Sequence, residues 1–274
     1  MRLTTTTTTT KSCSEPEPVV CEYCGRTIYP FSLQVWEEER WYPGTCVCES
    51  ERIEAEKARI MQAEREAYIK SLIYNSGMEQ TLLDSTFDRW EPRPGTEATY
   101  KLAHHMANNF ASYLEKGTGL LMFGEPGNGK TYLSAAIANE IIQQGFSAIF
   151  QNVEDFLSKI RNTYNKDDPE ESEKKLMYRL VACDLLILDD MAVIKWSTDW
   201  PQGKIYQLID RRYRAGKPVI VSTNCDSKTL KERLSERTYD RLTGKCLSVK
   251  NTGTSYRREE AVQRFKNGRE GSHE

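Results

Sequence analysis

The segment from Gly124 to Thr131, with the sequence GEPGNGKT, constrains this chain more than any other. It fits the pattern G-x-x-x-x-G-K-[ST] of a phosphate-binding P-loop. An apolar run at 119–123 precedes it and predicts a buried strand, and a helix-patterned segment at 132–144 follows it and stops at Gly145. In such a loop the backbone N–H groups converge on phosphate oxygens, and the helix N-terminus adds its positive dipole. The sequence therefore predicts a nucleotide site between a strand and a helix.

Two residues of the loop are expected to contact the phosphates and their metal ion. Lys130 would reach the β- and γ-phosphates, and the hydroxyl of Thr131 would bind Mg²⁺. The predicted nucleotide-contacting residues of this segment are Gly124, Glu125, Pro126, Gly127, Asn128, Gly129, Lys130, Thr131 and Tyr132.

Length and composition limit what else the chain contains. Its 274 residues allow one α/β domain of ordinary size and a small module. No apolar stretch approaches the ~20 residues of a transmembrane helix, and the N-terminus with its seven threonines has no apolar core of the signal-peptide kind. We therefore expect a cytoplasmic protein with no membrane partner, in which eight cysteines indicate metal binding or free thiols rather than disulfides.

Four of these cysteines have the spacing of a zinc site, Cys21-x2-Cys24 and Cys46-x-Cys48. Two thiolate pairs on tight turns, separated by a span long enough for a hairpin, suit a closed tetrahedral Zn²⁺ site of the structural kind. The alternative is four incidental cysteines in a reduced protein. Cys13 is a possible substitute ligand, although its spacing fits less well.

The surface of this module indicates its partner. Between residues 21 and 50 there are five glutamates against two arginines, and four thiolates on Zn²⁺ add further negative charge, which repels a phosphate backbone. The same segment is rich in large apolar side chains, which either pack around the metal or form a protein-docking surface; they are Phe31, Val35, Trp36, Trp41 and Tyr42. We favour docking to a protein over a DNA-binding finger.

The pattern after the cysteines predicts a helical connector. From 49 to 70, Glu alternates with Lys or Arg at three- and four-residue separations, which supports a solvated helix. The predicted organisation is a disordered tail at 1–12, a zinc-binding module at 13–50, a charged helical linker at 51–80 and a nucleotide-binding domain at 81–274.

A second apolar strand, at 184–188, ends in Asp189 and Asp190. This is the Walker B arrangement of an ATPase, in which a strand carries an acid to the phosphates and Mg²⁺. Asp189 would hold the metal through its water shell, and Asp190 would polarise the attacking water. The alternative is a buried strand that merely ends in acidic turn residues.

Three further polar residues fit an ATPase. A strand at 217–222 ends at Asn224, which is expected to hydrogen-bond the γ-phosphate or the lytic water. Arg237 and Arg241 lie four residues apart on one predicted helical face. Arginine from a neighbouring subunit suits the charge of a transferring phosphoryl group. The alternatives are a turn residue for Asn224 and a surface helix for the arginines.

Taken together, these motifs resemble AAA+ ATPases in order and spacing, over residues 83–258. The strings that carry the resemblance are GEPGNGKT, LLILDD, VSTN and SERTYDRL. Among AAA+ proteins the resemblance is to the DnaC/DnaI-type helicase loaders, whose relatives include the IstB transposition helpers. It implies an α/β fold, a parallel sheet flanked by helices without a C-terminal lid, preceded by a small zinc-binding module.

The resemblance also implies cofactors, partners and residue roles. It implies ATP, Mg²⁺ and Zn²⁺ as cofactors. The implied activity is to place the hexameric replicative helicase onto single-stranded DNA, with self-association through the AAA+ domain. It makes Asn224 the sensor 1 residue and Arg241 the trans-acting arginine, with Arg237 as the near alternative. In the sensor 2 region, Arg257 and Arg258 would contact the nucleotide.

The chain departs from the wider AAA+ pattern at Asp190, where most of these enzymes have Glu. A shorter side chain reaches the water less well, so slow hydrolysis is expected. Three other interpretations stay open: an IstB-like helper of transposition acting on duplex DNA, a P-loop small-molecule kinase, and a non-catalytic adaptor that binds ATP only to fold.

Positive charge suggests where DNA would bind. Residues 237–269 hold nine Lys or Arg against three acids. Single-stranded DNA is bound by cations and stacking aromatic rings, for which Lys159, Arg161 and Tyr164 are candidates. The alternative for these three is an ordinary solvated helix face.

Overall fold

The structure, a computed structural model, describes residues 15–36, 38–165, 167–191 and 198–259. The chain divides into two compact units, Met1–Ala67 and Tyr68–Glu274. Cys13 lies outside the described residues, as do the predicted tail at 1–12 and residues 260–274 of the predicted nucleotide-binding domain.

The first unit is built from two short antiparallel ladders and part of a helix. Its elements are β1 (Val19–Val20), β2 (Thr27–Ile28), β3 (Phe31–Val35), β4 (Glu38–Tyr42) and α1 (Val47–Ser76), which continues into the second unit. β1 pairs with β2, and β3 pairs with β4. Among the described residues up to Ala67, only Cys21 and Cys46 are buried. This unit therefore has almost no apolar core of its own.

The second unit is a five-stranded parallel sheet between two layers of helices. Its helices are α2 (Gln80–Leu83), α3 (Glu97–Asn108), α4 (Phe110–Lys116), α5 (Lys130–Gln143), α6 (Val153–Thr163), α7 (Pro169–Ala182), α8 (Asp199–Arg214), α9 (Ser227–Arg233) and α10 (Glu236–Lys245). Its strands are β5 (Gly119–Gly124), β6 (Ala148–Asn152), β7 (Leu185–Asp189), β8 (Val219–Thr223) and β9 (Cys246–Asn251). They lie in the order β6-β7-β8-β5-β9, and every pairing is parallel.

Each strand of this sheet contributes to two cores because successive side chains point to opposite faces. Leu121, Leu186 and Val221 pack on one side with residues of α6 to α10. Leu120 and Ile187 pack on the other side with residues of α3 to α5. Burial on both faces explains why β5, β7 and β8 appear in the sequence as continuous apolar runs.

The predicted fold class is confirmed. The three predicted strands correspond to β5, β7 and β8, and the helix predicted after the P-loop corresponds to α5, which begins at Lys130 rather than at residue 132. Eight described residues, 252–259, follow β9, and the absence of a C-terminal lid stays a prediction. Among the described residues, no helix is both long enough and apolar enough to span a bilayer.

Candidate functional site

The P-loop lies at the carboxyl end of β5 and leads directly into α5. Three of its glycines have positive φ angles: 153° at Gly124, 81° at Gly127 and 94° at Gly129. L-residues with side chains rarely adopt these angles. The turn therefore needs glycine at these positions to bring its backbone around a phosphate.

Lys130 is buried inside this turn, with 4% of its surface exposed. Its Nζ donates to Gly124 O at 2.8 Å, to Glu125 O at 2.9 Å and to Asn128 Oδ1 at 3.0 Å. Burial lowers the pKa of Lys130 to about 8, although nearby carboxylates, led by that of Asp190, act in the opposite direction. The ammonium thus lies at the centre of the predicted phosphate cradle.

Thr131 and Asp189, the two predicted Mg²⁺ ligands, are in contact. Thr131 Oγ1 donates to Asp189 Oδ2 at 3.0 Å and to Oδ1 at 3.2 Å, and the Ser222 hydroxyl also donates to Asp189 Oδ1. Burial raises the pKa of Asp189, and the neighbouring Asp190 carboxylate adds to this effect. A hydroxyl and a buried carboxylate are hard oxygen donors, which fit Mg²⁺.

Asp190 and Asn224 meet beside this pair. Asp190 follows β7 with a left-handed φ of 56°, and its backbone N–H donates to Ser222 Oγ at 3.1 Å. Asn224 Nδ2 approaches Asp190 Oδ1 at 3.4 Å. The carboxyl ends of β5, β7 and β8 thus bring the P-loop, both acids and the predicted sensor 1 residue together.

A cleft of about 410 Å³ adjoins these groups. Its described lining includes the P-loop from Pro126 to Tyr132, as well as Asp190, Asn224 and Arg257. Arg258 is exposed and is absent from this lining. Of the two predicted sensor 2 arginines, the described structure therefore brings one to the cleft.

One wall of this cleft is aromatic, and the sequence motifs did not predict it. Trp90 lies 5.5 Å from Tyr132 and 5.5 Å from Tyr256, measured between ring centroids. A Cβ on Gly129 would lie 2.5 Å from the Trp90 ring, so this glycine also makes room for the indole. No spacing rule connects Trp90 with the P-loop, because an irregular segment, α3, α4 and β5 separate them in the chain. Ser222 was missed because it reads as an ordinary strand residue.

The two candidate trans-acting arginines are not among the described residues that line the cleft. Arg241 Nη2 forms an ion pair with Asp210 at 2.7 Å, and its guanidinium lies 5.0 Å from the Tyr206 ring. Arg237 is exposed. The trans-acting role of either arginine stays a prediction.

The three candidate DNA-contacting residues lie exposed on or just after α6. Lys159 Nζ donates to Gln151 Oε1 at 2.9 Å. Arg161 lies 5.0 Å from the ring of Trp200, and Tyr164 Oη accepts a hydrogen bond from Trp200 Nε1 at 3.1 Å. Their role in DNA binding stays a prediction.

The four cysteines of the first unit form one cluster. Their Sγ atoms all lie within 4.8 Å of one another, with 3.4 Å between Cys21 and Cys48 and 3.4 Å between Cys24 and Cys46. Tetrahedral Zn–S bonds of ~2.3 Å bring sulfur atoms to about 3.8 Å from one another. Backbone N–H groups of Cys24 and Tyr23 lower the pKa of the Cys21 thiol to about 6. Four converging sulfurs fit Zn²⁺.

Comparison with known proteins connects this geometry to a family. A family model described as IstB-like ATP binding protein matches residues 78–264. YdaV of Escherichia coli K12 is 27% identical over 216 residues, which are 78% of this chain and 81% of YdaV. The replicative helicase loader DnaC of the same strain is 32% identical over 150 residues, which are 53% of this chain and 60% of DnaC.

Solved structures share the fold. The crystal structure of the DnaC helicase loader aligns with a TM-score of 0.58 at 22% identity, covering 64% of this chain and all of that one. The crystal structure of DnaI aligns with a TM-score of 0.53 at 21% identity, covering 65% and 94%.

Proposed function

This chain belongs to the IstB-like ATP-binding proteins, and on that premise we propose that it is an ATP-dependent helicase loader. It would bind the hexameric replicative DNA helicase and deliver it onto single-stranded DNA during replication initiation. The resemblance to DnaC/DnaI-type AAA+ proteins seen in the motifs is confirmed by the family match and the fold. The observation that carries the proposal is the P-loop cleft with its paired acids, in a chain similar to proteins named replicative helicase loader. Since helicase and DNA are cytoplasmic in bacteria, the proposed role is cytoplasmic as well.

The proposed ATPase step uses groups around the cleft. The P-loop and Lys130 bind the phosphates, and Thr131 and Asp189 would hold Mg²⁺, which neutralises phosphate charge when bound. Asp190, supported by Asn224, orients the attacking water. The aspartate carboxylate at position 190 reaches less far than the glutamate of most AAA+ enzymes. Hydrolysis is therefore expected to be slow and to depend on DNA or the helicase, which suits a switch.

Self-association would complete the site. ATP would lie at the boundary between two copies, with Arg241 of one copy reaching the phosphate of the next. In the single chain Arg241 is held by Asp210, whereas Arg237 is exposed. Arg237 therefore stays the alternative for this role, and Arg257 would contact the nucleotide within its own chain.

The zinc module would bind the helicase. Phe31, Leu33 and Trp36 expose 48%, 51% and 93% of their surface, and the segment around them is rich in glutamate. An apolar and acidic surface suits a protein partner better than a phosphate backbone. Single-stranded DNA would instead meet the AAA+ domain, at Lys159, Arg161 and the basic residues after 237.

Co-elution with the replicative helicase of the host tests this proposal. The intact chain, a variant lacking residues 1–50 and Lys130→Ala are each mixed with the helicase in the presence of ATP. We expect the intact chain to co-elute with the helicase and the truncated chain to fail to do so, because it lacks the docking module. Lys130→Ala keeps the docking module and should still co-elute. An intact chain that ignores the helicase with ATP present would overturn the loader proposal.

A second candidate is an IstB-like helper of DNA transposition, which the name of the matching family favours. ATPase assays with single-stranded and duplex DNA separate the two. Stimulation by single strands supports the loader, and stimulation by duplex alone supports the transposition helper. A monomer that phosphorylates small molecules would instead be a kinase, and a chain that binds ATP without hydrolysis under any condition would be an adaptor.

A further inference from the structure

Two buried asparagines connect the P-loop to the end of β9. Asn128 is fully buried and Asn251 is 1% exposed. Asn128 Nδ2 donates to Asn251 O at 2.9 Å, and Asn251 Nδ2 donates to Asn128 O at 2.9 Å. Each side chain thus bonds the backbone of the other residue, which joins the two segments by a reciprocal pair of hydrogen bonds.

The remaining side-chain atoms of this pair are also engaged. Asn128 Oδ1 accepts from Lys130 Nζ at 3.0 Å, and Asn251 Oδ1 accepts from the Gly253 N–H at 3.0 Å. A network of buried hydrogen bonds therefore runs from the turn after β9, through both asparagines, to the lysine of the P-loop. Buried polar networks whose groups are all satisfied fix one local geometry.

The pairing of β5 with β9 brings this network into place. Gly124 of β5 is opposite Asn251 of β9. A Cβ on Gly124 would lie 2.3 Å from Asn251 O and 2.5 Å from Asn128 Nδ2. The first glycine of the P-loop therefore leaves room for the asparagine pair as well as providing its own unusual backbone angle.

Fixing a carbonyl also fixes the next amide, because the peptide unit is planar and its C=O and N–H point in opposite directions. Asn251 holds the Asn128 carbonyl, so the Gly129 N–H must point away from β9. In the same way the Tyr256 N–H, which donates to Gly127 O at 2.9 Å, sets the direction of the Asn128 N–H. Both amides belong to the stretch of P-loop backbone that donates to phosphate.

We propose that Asn251 is a positioning residue for phosphate binding: through Asn128 it orients the P-loop amides and Lys130. The residue does not touch the nucleotide itself. The segment 251–256 acts as a template against which two successive peptide units of the loop are set. This inference rests on nucleotide binding in the proposed function and is independent of helicase loading.

Two substitutions and one control test the role. Asn251→Leu removes both side-chain bonds at similar volume, and Asn251→Asp keeps the acceptor for Gly253 but replaces the donor to Asn128. The control is Thr163→Val, which removes a buried hydroxyl that donates to Ile160 O in α6. The readouts are the Kd for a fluorescent ADP, the Kd for adenosine by competition, and the Tm of the nucleotide-free chain.

We expect both Asn251 variants to bind ADP about tenfold more weakly, as the loss of an orienting hydrogen bond implies. Adenosine binding should stay within about twofold of the intact chain, because the base and sugar do not depend on the loop amides. The control should lower Tm without changing ADP affinity. ADP affinity unchanged in a folded Asn251 variant, or an equal loss for ADP and adenosine, would overturn the positioning role. If Asn251→Leu does not fold, the ADP and adenosine affinities of Asn251→Asp test the positioning role. An intact chain that binds no ADP would overturn the proposed function as well.

Discussion

Removal of zinc is expected to unfold the first unit and leave the AAA+ domain intact. The cysteine cluster supplies both of the residues that are buried in the described part of this unit, Cys21 and Cys46. Its ladders have only two and five residues per strand. Two-stranded hairpins of this size are marginal in water without a packed face. We therefore expect Zn²⁺ at the cysteine cluster to supply the stabilisation that an apolar core supplies in larger domains.

The expected magnitude follows from this lack of a core. Structural zinc contributes an apparent binding free energy of about 10–16 kcal/mol in small modules, whereas whole domains are stable by about 5–15 kcal/mol. The binding free energy lost with the metal is therefore expected to exceed the free energy of unfolding of the module, so the module should unfold. Cys24→Ser is the informative variant, because Cys24 is exposed and serine at this position costs no core packing.

The assay combines metal content with hydrogen exchange. We expect one zinc ion per intact chain, and loss of zinc and of amide protection at 19–46 in Cys24→Ser or after treatment with a strong chelator. Protection in β5, β7 and α5 should not change. Cys225→Ser, outside the cluster, should keep its zinc. Full protection at 19–46 in metal-free protein would refute the reasoning, because the module would then fold without the ion.

Three further predictions concern the AAA+ domain. Arg212 is 1% exposed and donates to five backbone carbonyls. Arg212→Met should therefore lower the free energy of unfolding by about 3–5 kcal/mol in a denaturant titration. A decrease within the error of the assay would contradict this. Gly124→Ala places a Cβ 2.3 Å from Asn251 O and should weaken ADP binding about tenfold in a fluorescence titration. Unchanged binding would contradict this prediction, because β9 would then have moved to make room for the methyl group. Burial acts to raise the pKa of Asp184, but a hydrogen bond from Lys217 outweighs it and the pKa is lowered. The ionised Asp184 carboxylate therefore stabilises the folded state above its unfolded-state pKa. This stabilisation is lost as the pH falls through the folded-state pKa. The stability difference between the intact chain and Asp184→Asn should therefore shrink below about pH 4 in urea unfolding, and a difference independent of pH would contradict this.

Local pattern was sufficient for much of the candidate site. The P-loop is contiguous, and its strand and helix flank it directly, so one segment of sequence predicts both its shape and its chemistry. β7 and β8 were found because strands buried on both faces need continuous apolar runs. The acids and Asn224 follow those strands, and parallel strands present their carboxyl ends at one edge of a sheet. The cysteine spacing likewise predicted a cluster that the structure contains.

Local sequence patterns could not predict residue roles that depend on partners distant in the chain or in another molecule. The ion pair between Arg241 and Asp210 connects two helices and has no periodic signal. Trp90 reaches the P-loop from an irregular segment. The predicted trans-acting role of Arg241 and the predicted DNA contacts of α6 involve molecules outside the single chain, so they stay predictions.

The sequence by itself determined the nucleotide loop, the buried strands and the cysteine cluster, because each is encoded by neighbouring residues or by a fixed spacing. Only the tertiary structure decided that β9 lies beside β5, because strand pairing is made by backbone hydrogen bonds that any residue except proline can form. That pairing brings Asn251 to Asn128 across 123 positions of the chain. The geometry of the phosphate loop is thus completed by a residue that no local pattern connects to it.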